Sequence, residues 1–312
     1  MRRISISNIS RPVSVIALGT DGFGVAKTVA AAEALLDAYV AAGGNVIDCA
    51  RMYGDGVCEQ VVGSWMRSRG NREQLVISTK GGFPGKDGAP RLDRGSLLSD
   101  LNASLAALQT DFVDIWWLHR DDPARPVSDI MNTLNEMIES GKVGCVGASN
   151  WPAERIREAN AYAAANGLRG FAGDQPQWSL ARQVVNPDPT LQIMGDDLYR
   201  LHRETGMLCM PFSAQAKGYL AKLLGGGEST LSPKAKDRFH FPENIAVAER
   251  VAKLCGEFGC APAAMSLAWL TNQPFPTLPI ISARDEKQLL ESLAAGDILL
   301  GGDQVDMLRR MD

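Results

Sequence analysis

The sequence predicts an α/β protein, one closed (β/α)8 barrel (TIM barrel) that forms a single domain over residues 1–312. Eight short apolar runs rich in Val, Ile and Leu recur along the chain, and such continuous apolarity is typical of strands buried on both faces. Helix-like sequence follows each run, and no linker rich in Pro or Ser interrupts the alternation. The length also fits, because a barrel of this kind takes about 250 residues plus insertions.

The predicted strands lie, in chain order, in VSVIALG, NVID, LVISTK, FVDIWWLH, VGCVGASN, GFAGDQPQ, MLCMPFSA and TLPIISA. The sixth is the weakest of them. An open, doubly wound sheet is the alternative, and it would need a glycine-rich phosphate turn after the first strand. The sequence GTDGFG lacks the G-x-G-x-x-G spacing and the acid about 20 residues further on. The barrel is therefore the better interpretation.

The clearest predicted helices are TVAAAEALLDAYVAAGG, DRGSLLSDLNASLAALQT, PVSDIMNTLNEMIESGK, WPAERIREANAYAAANG, NIAVAERVAKLCGEFG and DEKQLLESLAA. The first has apolar residues at intervals of three and four and ends in Gly-Gly, as expected past a helix C-terminus. Pro126 and Pro152 stand where two of the helices begin. Residues 214–243 are too many for a plain βα connection, so we expect an extended loop after the seventh strand.

Composition narrows the class of protein. The net charge of -4, from 32 basic and 36 acidic residues, gives no sign of binding to nucleic acid or to an anionic membrane. The six cysteines form no C-x-x-C pair, which favours reduced core thiols and a cytoplasmic protein. No apolar run approaches the roughly 18 to 20 residues of a membrane span. Three scattered histidines predict no metal site, and the sequence does not predict an oligomeric state.

Polar residues end three consecutive predicted strands. Asp48 ends the second strand and Tyr53 follows it, while Lys80 ends the third and His119 the fourth. Active sites of such barrels lie at the carboxyl ends of the strands, and neighbouring strands are about 5 Å apart. One polar ending would mean little, but we expect these four side chains to form a cluster.

The chemistry of such a cluster is proton transfer at a carbonyl group. A free phenol titrates near pH 10, and a lysine ammonium within about 4 to 6 Å lowers that pKa. Asp48 would hold Lys80 charged, and His119 would orient the carbonyl oxygen or share the proton, so Tyr53 becomes a general acid. None of the four can supply a hydride, which predicts a nicotinamide cofactor.

These segments resemble the aldo-keto reductase family, whose members read D-x-A-x-x-Y-G where this chain has DCARMYG. The similarity continues through ALGT, CEQVVG, VISTKGG, DIWWLHRDDP, GKVGCVGASN, DQPQWSL and SARDEKQLLES. It runs from near the first predicted strand to near the C-terminus. The likeness is strongest to the bacterial and potassium-channel-β-type members of the family.

The resemblance implies a role for each matching residue. Tyr53 would donate the proton, Lys80 and Asp48 would tune it, and His119 would orient the substrate. It implies NADPH (NADP+) as the cofactor, and the residues that would bind it are Gly19, Thr20, Asp21, Ser149, Asn150, Gln175, Phe212, Ser213, Gln215, Gly218, Arg284, Gln288 and Glu291. Within this set, Ser149, Asn150 and Gln175 match contacts to the nicotinamide carboxamide. Phe212 would stack on the nicotinamide ring.

The other roles concern the far end of the cofactor. Ser213, Gln215 and Gly218 match the pyrophosphate loop, Arg284 the 2′-phosphate contact, and Gln288 and Glu291 the adenosine contacts. The chain departs from the family at four places, which are Phe212 for Tyr or Trp, SAQ for S-P-L, Ser292 for Asn, and Ile281-Ser282 for Pro-Gly. Asp285 is expected to cap the last of the predicted helices.

Three functions remain open. The first is an NADPH-dependent enzyme that reduces an aldehyde or ketone, a small-molecule carbonyl substrate, to the alcohol. The second is an NADPH-binding, redox-sensing subunit with little catalysis. The third is a lyase or isomerase in which Lys80 forms a Schiff base, although Asp48 opposes the uncharged lysine that such chemistry needs.

Several other residues have a structural interpretation. We expect Trp116 and Trp117 to pack between barrel and helices. Trp151, Trp178 and Phe83 either pack or form the wall of a substrate pocket. Arg120-Asp121-Asp122 is expected to be a solvated or salt-bridged loop, with contact to the substrate as the alternative. His202 and His240 are expected to be structural or surface residues.

Overall fold

The computed structural model describes residues 1–6, 8–186 and 188–310. Its strands are β1 (Arg3–Ile4), β2 (Val13–Ser14), β3 (Ala17–Gly19), β4 (Val46–Asp48), β5 (Val76–Gly81), β6 (Val113–Leu118), β7 (Val143–Ser149), β8 (Gly173–Gln175), β9 (Leu208–Cys209) and β10 (Ile280–Ile281). The last eight are parallel and pair in the order β10-β3-β4-β5-β6-β7-β8-β9. The ring closes where Cys209 pairs with Thr277. The predicted (β/α)8 barrel is confirmed.

The helices are α1 (Val29–Ala41), α2 (Val57–Arg69), α3 (Arg94–Leu108), α4 (Val127–Glu139), α5 (Ala153–Ala165), α6 (Asp196–Thr205), α7 (Tyr219–Gly226), α8 (Pro233–Phe239), α9 (Pro242–Phe258), α10 (Pro262–Thr271), α11 (Glu286–Leu293) and α12 (Gly302–Arg309). Each of the six clearest predicted helices is present, as α1, α3, α4, α5, α9 and α11. Thr28 and Asp93 cap α1 and α3 through their side chains, which satisfies a free N–H group at each start. Among the described residues, no helix is long and apolar enough to cross a membrane.

The segment 214–243 is more regular than the extended loop that the sequence predicts, because half of it folds into α7 and α8. Buried Tyr219, Leu220 and Phe239 anchor these helices. Ser232 caps α8 with its hydroxyl group, and Pro233 occupies the first turn, where its missing N–H costs nothing. The segment is thus an ordered insertion beside the barrel.

The inside of the ring is filled at the amino ends of its strands. An antiparallel hairpin of β1 and β2, which the sequence analysis missed, precedes the ring. Val13 of the hairpin packs in the same buried cluster as Val76, Ile115 and Trp117. The expectation for Trp117 is therefore wrong, since its ring lies inside the barrel, whereas Trp116 packs in the outer layer as predicted. Alternate residues of one strand face opposite sides, which explains the difference.

The strand register aligns the carboxyl ends of neighbouring strands. Asp48 pairs with Gly19 on one side and with Ser78 on the other. Ser149 pairs with Gln175 in the same way further round the ring. Parallel pairing therefore brings the polar strand ends to one rim of the barrel. All six cysteines are free thiols; Cys255 and Cys260 are half-buried, and the other four are buried.

Candidate active site

Lys80 is the centre of a buried hydrogen-bonded cluster. Its ammonium group donates to the carboxylate of Asp48, to the carbonyl oxygen of Cys49 at 2.7 Å and to the hydroxyl oxygen of Tyr53 at 3.5 Å. The other carboxylate oxygen of Asp48 accepts from Ser78 at 2.7 Å. Asp48 and Lys80 are 2% and 3% exposed, so their charges face each other away from water and interact strongly. The cluster that the sequence predicts does form.

The turn after β4 places Tyr53. Asp55, Gly54 and Gly56 all have positive φ angles, which glycine adopts without strain. A Cβ atom on Gly56 would lie 1.6 Å from the Arg51 guanidinium, and one on Gly54 would lie 2.5 Å from the side chain of Val25. The turn therefore favours glycine at both positions through its backbone angles, whereas the Arg51 guanidinium is the end of a flexible side chain that could move aside.

The pKa of Tyr53 runs against the sequence-based expectation. Burial raises the pKa of the phenol above its ordinary 10.0, and the nearby Lys80 charge offsets this only in part. The prediction that Lys80 lowers the net pKa is therefore wrong for the protein alone, because desolvation outweighs the ion. Burial is the largest single influence on Lys80 and acts to lower its pKa, but the charge and hydrogen bond of Asp48, together with the influence of Tyr53 and Cys49, outweigh it, and the net pKa is raised. At neutral pH the site holds a charged ammonium and a protonated phenol.

His119 lies beside the phenol as a neutral ring. Its ring centroid is 6.0 Å from that of Tyr53 in an edge-on arrangement, and 5.0 Å from that of Phe83. Burial, together with the charges of Lys80 and Arg120, holds the pKa of His119 well below 6.5. Its Nδ1 atom is buried without a hydrogen-bond partner among the described residues.

A cleft of about 800 Å³ begins at this cluster. Asp48 and Tyr53 line one end, and Arg284 and Glu291 line the other. The predicted cofactor residues that line the cleft are Gly19, Asp21, Phe212, Ser213, Gln215, Gly218, Arg284, Gln288 and Glu291. Thr20, Ser149, Asn150 and Gln175 do not line it; they are buried at the rim of the barrel.

These four buried residues form hydrogen bonds with one another or with other residues of the protein. Gln175 donates to Asp48 at 2.9 Å, and Ser149 donates to the carbonyl oxygen of Gln175 at 2.9 Å. Asn150 donates to the carbonyl oxygen of His119 at 3.2 Å, and Thr20 donates to that of Asp48 at 3.1 Å. The amide oxygen of Gln175 is buried and has no partner among the described residues. An unpaired buried acceptor is costly, so it indicates a donor that the protein does not supply.

The backbone is unusual in the middle of the cleft. Ser213, Ala216 and Lys217 have φ angles of 54°, 47° and 55°, and Gly218 follows with 75°. Such left-handed residues are costly outside glycine and cluster at functional sites. Gln215 donates to the Ser292 hydroxyl at 2.9 Å, so this loop is tied to α11. Gln215 and Ser292, which both depart from the family pattern, are thus hydrogen-bonded to each other.

The far end of the cleft lies at the start of α11. Asp285 caps this helix, as predicted, by accepting from the N–H of Gln288 at 2.9 Å. The Gln288 side chain in turn accepts from the N–H of Arg284 at 2.7 Å. The Arg284 guanidinium is exposed and has no ion-pair partner within the described ranges. A free guanidinium beside a helix N-terminus makes this end favourable for an anion.

The family assignment follows from nearly the whole length of the chain. The model of the aldo/keto reductase family matches residues 15–312. The chain belongs to the aldo/keto reductase family. It is similar to an aryl-alcohol dehydrogenase (NADP(+)) of Phanerodontia chrysosporium, with 30% identity over 296 residues that cover 88% of this chain and 74% of that protein. As a member of the family, it is an oxidoreductase that uses a nicotinamide cofactor.

Two further relatives of the chain are also fungal. It is similar to norsolorinic acid reductase B of Dothistroma septosporum, with 28% identity over 310 residues, 94% of this chain and 77% of that protein. It is similar to a probable aryl-alcohol dehydrogenase of Saccharomyces cerevisiae, with 29% identity over 294 residues, 88% of this chain and 85% of that protein.

The residues of this reductase fit a nicotinamide dinucleotide. The unpaired amide oxygen of Gln175 could accept from a carboxamide, and the half-buried Phe212 presents a ring to the cleft. Four cleft lysines, which the sequence analysis missed, suit a phosphorylated ligand: Lys27, Lys217, Lys222 and Lys287. No motif marks them, because exposed lysines are common and only the fold brings these four together.

The remaining sequence-based predictions concern residues that pack in the core or form salt bridges. Trp151 is fully buried and packs on Phe171, and Trp178 lies in a separate aromatic cluster with Trp269. The loop after β6 is salt-bridged as expected, since Asp121 pairs with Arg155 at 3.2 Å. His202, beside Asp174 at 3.6 Å, is a buried structural residue.

Proposed function

We propose that the protein is an NADPH-dependent carbonyl reductase that converts an aldehyde or ketone to the alcohol. The observation that carries the proposal is the position of Lys80. Its ammonium links the Asp48 carboxylate to the Tyr53 hydroxyl at the end of an 800 Å³ cleft. A protonated phenol next to a fixed cation suits a reaction in which the substrate oxygen gains negative charge.

In the proposed mechanism, the catalytic residues act on the substrate oxygen. Tyr53 keeps its proton at neutral pH because burial raises its pKa, so it can donate that proton as the oxygen becomes basic. Lys80 stabilises the phenolate that remains, and Asp48 keeps Lys80 charged and in position. The neutral His119 ring lies beside the phenol and orients the carbonyl group by hydrogen bonding.

The cofactor would lie along the cleft. Gln175, which binds the cleft residue Asp48, and its neighbours would hold the carboxamide at the buried rim beside the cleft. Phe212 would stack on the ring, and the loop of Ser213, Gln215 and Gly218 would hold the pyrophosphate. Gly19 and Asp21 line the same cleft, Arg284 would bind the 2′-phosphate, and Gln288 and Glu291 would contact adenosine. When bound, NADPH supplies the hydride that these residues lack.

Relatives suggest where to search for the substrate. Two of them are named aryl-alcohol dehydrogenases, one with NADP(+) in its name, so aromatic aldehydes are the first compounds to test. The relatives named above are fungal, and the predicted likeness to the bacterial and potassium-channel-β-type branch stays a hypothesis. The redox-sensing subunit is the alternative, which predicts NADPH binding without turnover.

Replacing the proton donor tests the mechanism. Tyr53→Phe should lower turnover of an aromatic aldehyde by about a hundredfold or more, the scale expected for loss of a general acid. Its affinity for NADPH, measured by fluorescence titration, should change little because the hydroxyl group acts on the substrate. Tyr162→Phe is the control, since that hydroxyl lies on the outer surface, 3.4 Å from Asn132. Reduction at an undiminished rate by Tyr53→Phe would refute the assignment.

A further inference from the structure

Arg120 is a largely buried cation beside the proposed catalytic residues. Its side chain is 12% exposed, and its guanidinium carbon lies 5.1 Å from the centroid of the Phe83 ring. Phe83 in turn contacts His119, and His119 contacts Tyr53. Arg120, Phe83, His119 and Tyr53 thus form a continuous chain of contacts that ends at the phenol.

The protein satisfies Arg120 only in part. Its Nε–H donates to the Thr190 hydroxyl at 3.0 Å, and one Nη–H donates to the carbonyl oxygen of His119 at 2.9 Å. The carboxylate of Asp188 is 3.6 Å from the other Nη atom, beyond good hydrogen-bond distance. Among the described residues, the remaining N–H groups of the guanidinium have no hydrogen-bond acceptor. Burial lowers the pKa of Arg120 from its usual value, against the opposing charge of Asp188.

Asp188 is a weak partner for this arginine. It is 43% exposed, so water screens its charge. One of its oxygens already accepts from the N–H and the hydroxyl of Thr190 at 2.9 and 2.6 Å. A ligand carboxylate that reaches Arg120 could therefore bind its free N–H groups in the two-bond geometry that suits a guanidinium.

We infer that Arg120 makes this enzyme selective for carbonyl substrates that carry a carboxylate. This inference rests on the proposed function. The carbonyl oxygen lies at Tyr53 and His119, the body of the substrate lies along Phe83, and the carboxylate binds Arg120. The substrate class is therefore an oxo acid or an aromatic aldehyde with a carboxylate on its ring.

A matched pair of substrates tests this inference. The acid 4-carboxybenzaldehyde and its neutral ester, methyl 4-formylbenzoate, differ chiefly in charge. With saturating NADPH, the wild-type ratio of kcat/KM for acid over ester should be about ten or more. Arg120→Met, which keeps an unbranched side chain over Phe83, should lower that ratio by about tenfold or more. A wild-type ratio near one, or an unchanged ratio in Arg120→Met, overturns the inference.

Two variants separate recognition from general damage. Arg125→Met is the control, because Arg125 is on the same connection but pairs with Asp122 and Asp129 at 3.8 and 4.0 Å; the ratio should stay at its wild-type value. Asp188→Asn should raise the ratio by about two- to fivefold, since it removes the competing carboxylate. A ratio that falls in Asp188→Asn counts against the inference.

Binding without turnover separates this inference from the proposed function. Calorimetry with NADP+ present should show that wild-type protein binds benzoate more tightly than benzamide, and that Arg120→Met loses the difference. If neither aldehyde is reduced but this difference is found, the carboxylate site stands and the reductase proposal fails. If the ester is reduced and benzoate shows no preference, the carboxylate site is wrong and the reductase proposal stands.

Discussion

At the scale of single residues, protonation states depend on the balance between burial and neighbouring charge. Lys80 and Tyr53 are close enough to hydrogen bond at 3.5 Å, yet burial still raises the pKa of the phenol. The lysine therefore does not ionise the tyrosine in the protein alone. In the proposed mechanism, its contribution belongs to the transition state, where the phenol would lose its proton.

The pH dependence of reduction follows from these states. Because Tyr53 has a raised pKa and His119 one well below 6.5, neither group titrates near neutrality. We expect kcat/KM for a neutral aldehyde to be flat between about pH 6 and 9 and to fall only as the phenol ionises above about pH 10. Initial rates with saturating NADPH check this. A fall centred near pH 8 would show that the bound cofactor lowers the Tyr53 pKa.

At the scale of elements, the start of α11 combines a cap and a free cation. Asp285 caps the helix, because its carboxylate accepts a hydrogen bond from the backbone N–H of Gln288 at 2.9 Å. Its negative charge therefore interacts with the helix N-terminus. Arg284 precedes the cap and lines the cleft. The helix N-terminus and the guanidinium therefore act together on any phosphate bound there.

Cofactor choice should depend on Arg284. Arg284→Ala should raise the KM for NADPH by about ten- to a hundredfold, because a charge-assisted hydrogen-bonded contact to phosphate is worth about 1.5–3 kcal/mol. The KM for NADH, which lacks the phosphate, should change little. Arg200→Ala is a suitable control, since Arg200 is 63% exposed on α6. Equal rises for both cofactors would place Arg284 on adenine or the pyrophosphate instead.

At the scale of the whole molecule, the interior of the ring depends on matching a large side chain to glycines. Trp117 is fully buried inside the barrel. A Cβ atom on Gly147 would lie 2.2 Å from its ring, and one on Gly173 would lie 3.1 Å from it. Glycines in two neighbouring strands thus provide the space that the indole fills, as dense core packing requires.

This match can be tested by stability. Gly147→Ala should lower the free energy of unfolding by about 1–3 kcal/mol, since the added methyl group overpacks the interior. Combining it with Trp117→Phe should cost less than the sum of the two single changes by about 0.5–3 kcal/mol. Urea denaturation measures both. Gly256 of α9 is exposed, and nothing lies within 4 Å of a Cβ atom added there. Gly256→Ala should therefore raise the free energy of unfolding. If the losses in the free energy of unfolding from Gly147→Ala and Trp117→Phe were strictly additive, the packing of Trp117 against Gly147 would be contradicted.

Local pattern was enough to predict the eight strands of the ring and the candidate catalytic cluster, although not the hairpin of β1 and β2. Apolar runs and helical spacing depend on a residue and its near neighbours, and parallel pairing then brings Asp48, Lys80 and His119 to one rim whatever the details of packing. For the same reason Asp285 could be placed at a helix N-cap, because a cap is a contact within three residues.

The tertiary structure decided what depends on distant contacts. The side of the sheet that Trp117 faces, the contact of Gln175 with Asp48, and the raised pKa of Tyr53 each depend on atoms far away in the sequence. The helices of residues 214–243 and the contact of Arg120 with Phe83 do so as well. Burial and desolvation are sums over the whole fold, so no short segment of sequence encodes them.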